Sequence, residues 1–156
     1  MILVFKVHGI DTAEPSDPEE WPHHGVCIYI KNKLNAEQLH FVQSVENTEY
    51  LWISFISANT PVFLCCCYHA PKPCYGPTAL VDMLCVHIDE IVLSNPNAVI
   101  ILAGDFNKLH CSKFEVDQGM AQLVNQATHG NSVLDKCFTN RPVSYTHLTL
   151  PTKRIV

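Results

Sequence analysis

Gly104-Asp105-Phe106-Asn107 is the stretch whose residue types and spacing are best suited to chemistry. The run before it, Ala98-Val-Ile-Ile-Leu-Ala103, is apolar, so the polar residues emerge where a buried strand leaves the core. On extended backbone, Asp105 and Asn107 point the same way. A carboxylate there can accept or donate a proton, or help hold a metal ion. A neighbouring amide can donate to a phosphate oxygen whose charge grows in the transition state. The same tetrapeptide also suits a turn in which Asp105 hydrogen-bonds its own backbone, and residue types alone leave both readings open.

The elements that would position these groups alternate in type. Strands are expected over 2–7, 26–31, 50–57 and 62–69, the last apolar on both faces, with a turn at Asn59-Thr60-Pro61. Residues 9–24 form a polar loop with Pro15, Pro18 and Pro22 and the acids Asp11, Glu14, Asp17, Glu19 and Glu20. After the breakers Pro71, Pro73, Gly76 and Pro77, Thr78 is placed to cap a helix running to about Leu93. Leu80, Leu84, Ile88 and Ile91 repeat at helical spacing on one face of it. Ser94-Asn95-Pro96-Asn97 stops that helix, 98–103 is a central strand, 119–127 reads as a short helix and 133–138 as a last strand. Strand, helix, buried strand and then polar residues is α/β logic, in which sites gather at strand ends.

The bulk numbers agree with one folded domain. The chain has 156 residues, 47% of them apolar, enough for a hydrophobic core. A net charge of −5 does not mark a nucleic-acid binder, although a nuclease needs carboxylates at its site and only a local basic strip. Eight cysteines include the consecutive Cys65, Cys66 and Cys67, which alternate faces on a strand and cannot share one disulfide framework. Free thiols in a reducing compartment, nuclear or cytoplasmic rather than secreted, are the expectation. No Cys-x-x-Cys pair supports zinc, His110-Cys111 is a weak pair, and no apolar run reaches membrane-spanning length.

Taken in order, the motifs resemble the endonuclease/exonuclease/phosphatase superfamily in its non-LTR retrotransposon branch. An apolar strand ending in Gly104-Asp105-Phe106-Asn107 is a hallmark of that superfamily. Gly25-Val26-Cys27-Ile28-Tyr29-Ile30-Lys31 is similar to the Gly-Val-x-Ile-Tyr strand of retrotransposon endonucleases, and Glu49-Tyr50-Leu51-Trp52-Ile53 resembles the strand that follows. Tyr68-His69-Ala70-Pro71 is similar to the Tyr-Arg-Pro-Pro or Tyr-x-Pro-Asn segment, and Leu134-Asp135-Lys136-Cys137-Phe138-Thr139-Asn140 to the Leu-Asp-x-x-Phe-Thr-Asn strand. The resemblance covers most of residues 1–143 and leaves 144–156 unassigned, a tail that resembles translated adapter sequence.

The resemblance implies an α/β fold: part of a four-layer sandwich of two mixed β-sheets flanked by helices. It implies magnesium as cofactor, DNA as partner and phosphodiester cleavage as the parent activity. Asp105 would be the acid that activates water or protonates the leaving group, and Asn107 a phosphate-positioning donor. Tyr68 would place a phenol at the scissile phosphate, and Asp135 would orient a catalytic histidine. His69 and Ala70 depart from the usual Arg-Pro. The family's upstream Asn and metal-holding Glu have no counterpart at the expected spacing, and Glu19-Glu20-Trp21 reads as loop. No Ser-Asp-His follows Asp135, His110 reads as a loop residue, and His147 takes no role. The expectation is a fragment inactive alone. The rival expectations are a sugar-phosphate or inositol-phosphate phosphatase of the same superfamily and a retroelement remnant or binding scaffold without catalysis.

Overall fold

In the computed structural model, the backbone of residues 3–6 and the whole of 26–142 are described. Glu19, Glu20 and the tail 144–156 lie outside the described residues. The element order is β1 (Leu3–Lys6), β2 (Val26–Tyr29), β3 (Glu37–Leu39), β4 (Glu49–Ser57), β5 (Thr60–Tyr68), α1 (Ala79–Ser94), β6 (Val99–Asp105), α2 (Ser112–Val116), β7 (Ala121–Gln122) and β8 (Asp135–Thr139). Six strands form one mixed sheet in the order β3-β4-β5-β6-β8-β7, and β1 pairs with β2 in a separate antiparallel ribbon. Only β5 and β6 run parallel, joined across α1, the βαβ crossover expected of an α/β chain.

The period-two alternation of β4, β5 and β6 divides the core between the two faces of this sheet. One face presents Trp52, Phe63, Cys65, Cys67, Ile100, Leu102 and Phe138 to α1 and α2, where they pack with Leu80, Leu84, Ile88, Ile91 and Phe114. The other presents Ile53, Phe55, Val62 and Leu64, against which Ile28 and Ile30 pack from β2 and the residue after it. Every residue from Val62 to His69 is buried, as expected for a strand apolar on both faces. The described layers are thus helices, six-stranded sheet and two-stranded ribbon. None of the described helices is long and apolar enough to cross a membrane.

Three local expectations differ from the structure. The β4–β5 turn is Ala58-Asn59, both at positive φ (48° and 60°), and Thr60 and Pro61 already belong to β5. Such a two-residue turn matches the right-handed twist of the strands it joins. Thr78 makes no side-chain cap on α1; after Lys113, it helps hold the Asp82 carboxyl below its ordinary range. Residues 119–127 are not a helix: Gly119 at φ 60° ends the preceding turn and Ala121-Gln122 pair with β8. The short helix lies earlier, at Ser112–Val116, where fully buried Phe114 anchors it. The short strand β3 carries no alternating apolar signal in the sequence.

Asn140 has a structural task in the Phe138-Thr139-Asn140 motif. Its Oδ1 accepts from the Ile100 N–H at 2.9 Å and its Nδ2 donates to the Ala98 carbonyl at 3.0 Å. The side chain thereby holds the start of β6, the strand that ends in Asp105.

Candidate active site

Gly104 governs how closely β6 approaches β5 at the polar end. A Cβ at this position would sit 1.9 Å from the Cys67 carbonyl oxygen, and its φ of +154° is one that L side chains rarely adopt. With the side chain absent, the strands stay in register to their last residues. Tyr68 lies opposite Asp105, Asp105 opposite Asp135, and Glu49 opposite Tyr68. Residues directly opposed on neighbouring strands share a face. A row of Glu49, Tyr68, Asp105 and Asp135 therefore crosses four strands at one end of the sheet. Tyr68 is buried, Glu49 and Asp105 are partly buried, and Asp135 is exposed. A cavity of about 270 Å³ opens on this row, lined by Tyr68, Asp105, Asp135 and Lys136 with Val26 and Val124.

Asn107 reaches the site differently from its spacing. The strand ends at Asp105, and Asn107 turns back at φ 47°, a left-handed conformation that asparagine tolerates. Its N–H donates to Asp105 Oδ1 at 2.9 Å, closing the local turn that was one of the two readings of this tetrapeptide. Its Nδ2 donates to the His69 carbonyl at 2.6 Å, and the His69 N–H donates to the Asp105 carbonyl at 2.9 Å. The Phe106 N–H donates to the Leu134 carbonyl at 2.9 Å. The turn is thus tied to β5 on one side and to the entry of β8 on the other. One oxygen of the acid and one N–H of the amide are committed to this scaffold, and each group retains a second polar atom for other chemistry.

Four residues at this end of the sheet carried no site role in the sequence reading. His69 is buried, with Nδ1 2.9 Å from Tyr75 Oη. Burial pushes its imidazole below the ordinary histidine range and Lys136 adds to that, while Asp105 opposes it. Burial also pushes the Tyr75 phenol up to about 12. Lys136 donates to the Leu109 carbonyl at 2.7 Å, lies 3.5 Å from Cys111 Sγ, and sits 5.9 Å from the centre of the Phe106 ring. It fastens the segment after Phe106 to β8. Glu49 has a buried Oε2 with no hydrogen-bond partner among the described residues. Its place opposite Tyr68 follows from counting back through a turn at Ala58-Asn59, and a turn placed one residue later hides it. His110 is a loop residue, its Nε2 3.1 Å from Ser112 Oγ on the surface.

Among the described residues, no three His, Cys, Asp or Glu side chains gather closely enough to hold a metal ion. Magnesium demands a near-octahedral oxygen shell. Asp105, Asp135 and Glu49 are strung along a row rather than gathered round a point, so the described residues do not by themselves fit a magnesium site.

A six-stranded mixed sheet with α1 and α2 on one face and a polar row at its end defines the class as a mixed α/β fold. The chain belongs to the endonuclease/exonuclease/phosphatase family, whose sequence profile matches residues 7–148. Solved structures with the same fold include the endonuclease domain of TRAS1, a telomere-specific non-LTR retrotransposon, at TM-score 0.53 and 13% identity. That match covers 88% of this chain and 64% of the other. A humanized D. rerio TDP2 matches at TM-score 0.51 and 17% identity, covering 88% of this chain and 58% of that one. D. rerio TDP2 complexed with a single-stranded DNA product matches at TM-score 0.50 and 15% identity, over 88% and 61% of the two chains. This chain therefore spans less than two thirds of the length of each, and at such identities the likeness establishes the fold. No curated protein matches the sequence.

Proposed function

We propose that this chain is the central part of a magnesium-dependent DNA endonuclease domain from a non-LTR retrotransposon polyprotein. Its parent activity would be phosphodiester cleavage that leaves an end from which reverse transcription is primed. The observation that carries the reading is the row Tyr68–Asp105–Asp135, built by strand register from three separate motifs of the colinear series. The wording of Gly25 to Lys31 and of Leu134 to Asn140 favours the retrotransposon branch over a sugar-phosphate or inositol-phosphate phosphatase of the same family.

In the whole domain, water attacks phosphorus, the P–O bond to the leaving oxygen breaks, and a proton passes from the water side to the leaving group. Asp105 would take or give that proton. The Tyr68 phenol and the Asn107 amide would donate to phosphate oxygens as their charge grows. Asp135 would orient a histidine supplied by the rest of the domain. Magnesium would neutralise phosphate charge, with its principal acidic ligand outside the described residues.

The isolated chain takes a second reading: a non-catalytic retroelement remnant or binding scaffold. The lack of a three-ligand metal group among the described residues favours it for this polypeptide alone. The test incubates chain 1–156 and its Asp105→Ala variant with supercoiled plasmid and magnesium. Neither should nick, because groups that act as a unit lose most of their effect together. Robust magnesium-dependent nicking by 1–156 that disappears in Asp105→Ala would refute the inactivity. The contiguous reading frame with both missing motifs should nick, and Asp105→Ala should slow it by about 10²–10⁴. Release of phosphate from sugar phosphates in place of nicking would overturn the endonuclease reading.

A further inference from the structure

We propose that His69 and Tyr75 are a positioning pair for the Asp105–Asn107 turn: their side-chain hydrogen bond fixes the stretch of backbone that holds both members of that turn. The proposal deepens the reading above, since it takes the turn to be the working part of the site.

His69 holds the turn through its main chain. The residue just past the end of β5 holds β6's polar end twice, its N–H on the Asp105 carbonyl at 2.9 Å and its carbonyl on Asn107 Nδ2 at 2.6 Å. A residue beyond the end of a strand has no further ladder to keep it in place. What restrains it here is its own side chain, 8% exposed and bonded through Nδ1 to Tyr75 Oη at 2.9 Å. The two rings are tilted by 57° with centroids 5.6 Å apart, an arrangement favourable for aromatic pairs.

Tyr75 is well placed to act as the anchor. It sits in the segment between β5 and α1 that contains Pro71, Pro73, Gly76 and Pro77, which has no regular structure of its own. Its ring packs against the helix-side core, which ties that segment to the body of the protein. Its hydroxyl then reaches back to the imidazole. The chain of restraint runs from core to Tyr75 ring, from phenol to imidazole, and from His69 backbone to the acid and amide. The Arg of the Tyr-Arg-Pro-Pro form of the family segment would bring a charged side chain to position 69 in place of this partly buried pair.

Hydrogen exchange on chain 1–156, followed residue by residue by NMR, tests the pair without requiring activity. Tyr75→Phe removes the hydroxyl and keeps the ring. It should speed exchange of the His69 and Asn107 backbone N–H groups by about three- to tenfold, the loss expected for one hydrogen bond. The Trp52 and Leu64 amides on β4 and β5 should not change. His69→Ala should have the same local effect. His69→Asn should restore near-native rates, because its side-chain amide can stand where Nδ1 stands. If His69→Ala fails to fold, Tyr75→Phe alone carries the test. Unchanged protection of His69 and Asn107 in Tyr75→Phe overturns the proposal, as does equal acceleration of all amides. In the complete domain, Tyr75→Phe should lower kcat with KM unchanged. Because exchange is read on the chain whether or not it cuts DNA, failure of the pair and failure of the endonuclease reading are separate results.

Discussion

Gly104 leaves no room for a side chain, and this one residue controls the geometry of the whole row. Gly104→Ala would force the added carbon against the Cys67 carbonyl, where it would lie 1.9 Å away. The clash is with backbone at the last-but-one pair of the parallel strands, so relief requires moving the end of β6 from β5. The variant should lose about 2–4 kcal/mol of stability, as overpacking and strain at a special backbone position do together. Urea unfolding followed by Trp fluorescence measures it, and a loss below about 1 kcal/mol would show that the strands can part without cost. The neighbouring Asp105 and Asn107 show how turn and site coincide. Sequence spacing placed both on an extended strand, but Asn107 turns back and its N–H closes on Asp105 Oδ1. The turn reading of the tetrapeptide is thereby realised, and the chemistry proposed for Asp105 and Asn107 would fall to the polar atoms that the turn does not use.

At the scale of elements, α1 and β4 are joined through His87. This histidine is fully buried, and its tautomer is determined by its partners. Trp52 Nε1 can only donate, so Nδ1 accepts at 3.2 Å; the Gln43 carbonyl can only accept, so Nε2 donates at 2.7 Å. Phe41 stacks on the ring with centroids 4.1 Å apart. Burial holds the imidazole below the usual histidine range, and the Gln43 carbonyl opposes this. The unfolded chain then binds a proton at about pH 6.5 that the folded chain does not. Stability is complete above that pH and falls as pH drops through the lower folded value. Buried His69 shifts the same way, so the two effects add. Thermal unfolding should show a lower Tm at pH 5.5 than at pH 7.5, with a smaller difference in His87→Gln. An unaltered pH dependence in that variant would show that His87 titrates normally. The expected helix over 119–127 failed at the same scale: Gly119 ends the preceding turn, and pairing with β8 takes Ala121-Gln122 into the sheet.

For the whole molecule, the two-faced core determines what the cysteines can do. Cys65 and Cys67 face the helices and Cys66 the other side, near Cys27 of β2. All eight are unpaired, with Cys74 exposed, Cys27 and Cys137 partly buried and the other five buried. Burial pushes the Cys66 thiol up to about 12 and Cys85 and Cys111 to about 11, so their thiolates are scarce at neutral pH. A thiol reagent should react quickly with Cys74 in the native protein and count close to eight thiols once the unreduced protein is denatured. A denatured count near zero would mean that the cysteines are paired and that the compartment expectation is wrong.

Local sequence signals were enough to locate the main buried strands, the long helix and the polar residues that end β6. Apolar runs identified β4, β5 and β6, the Leu80-Leu84-Ile88-Ile91 stripe identified α1, and the ordered motifs identified the family. Those are local properties, written in composition and period. The pairing of Glu49 with Tyr68, the descent of Asn107 to the His69 carbonyl and the His69–Tyr75 bond belong to the tertiary structure alone. Each depends on a distance across strands or loops, set by a two-residue turn, a glycine contact or a ring packed in the core. Such distances follow from register and close packing between segments far apart in the chain, and no single segment carries them.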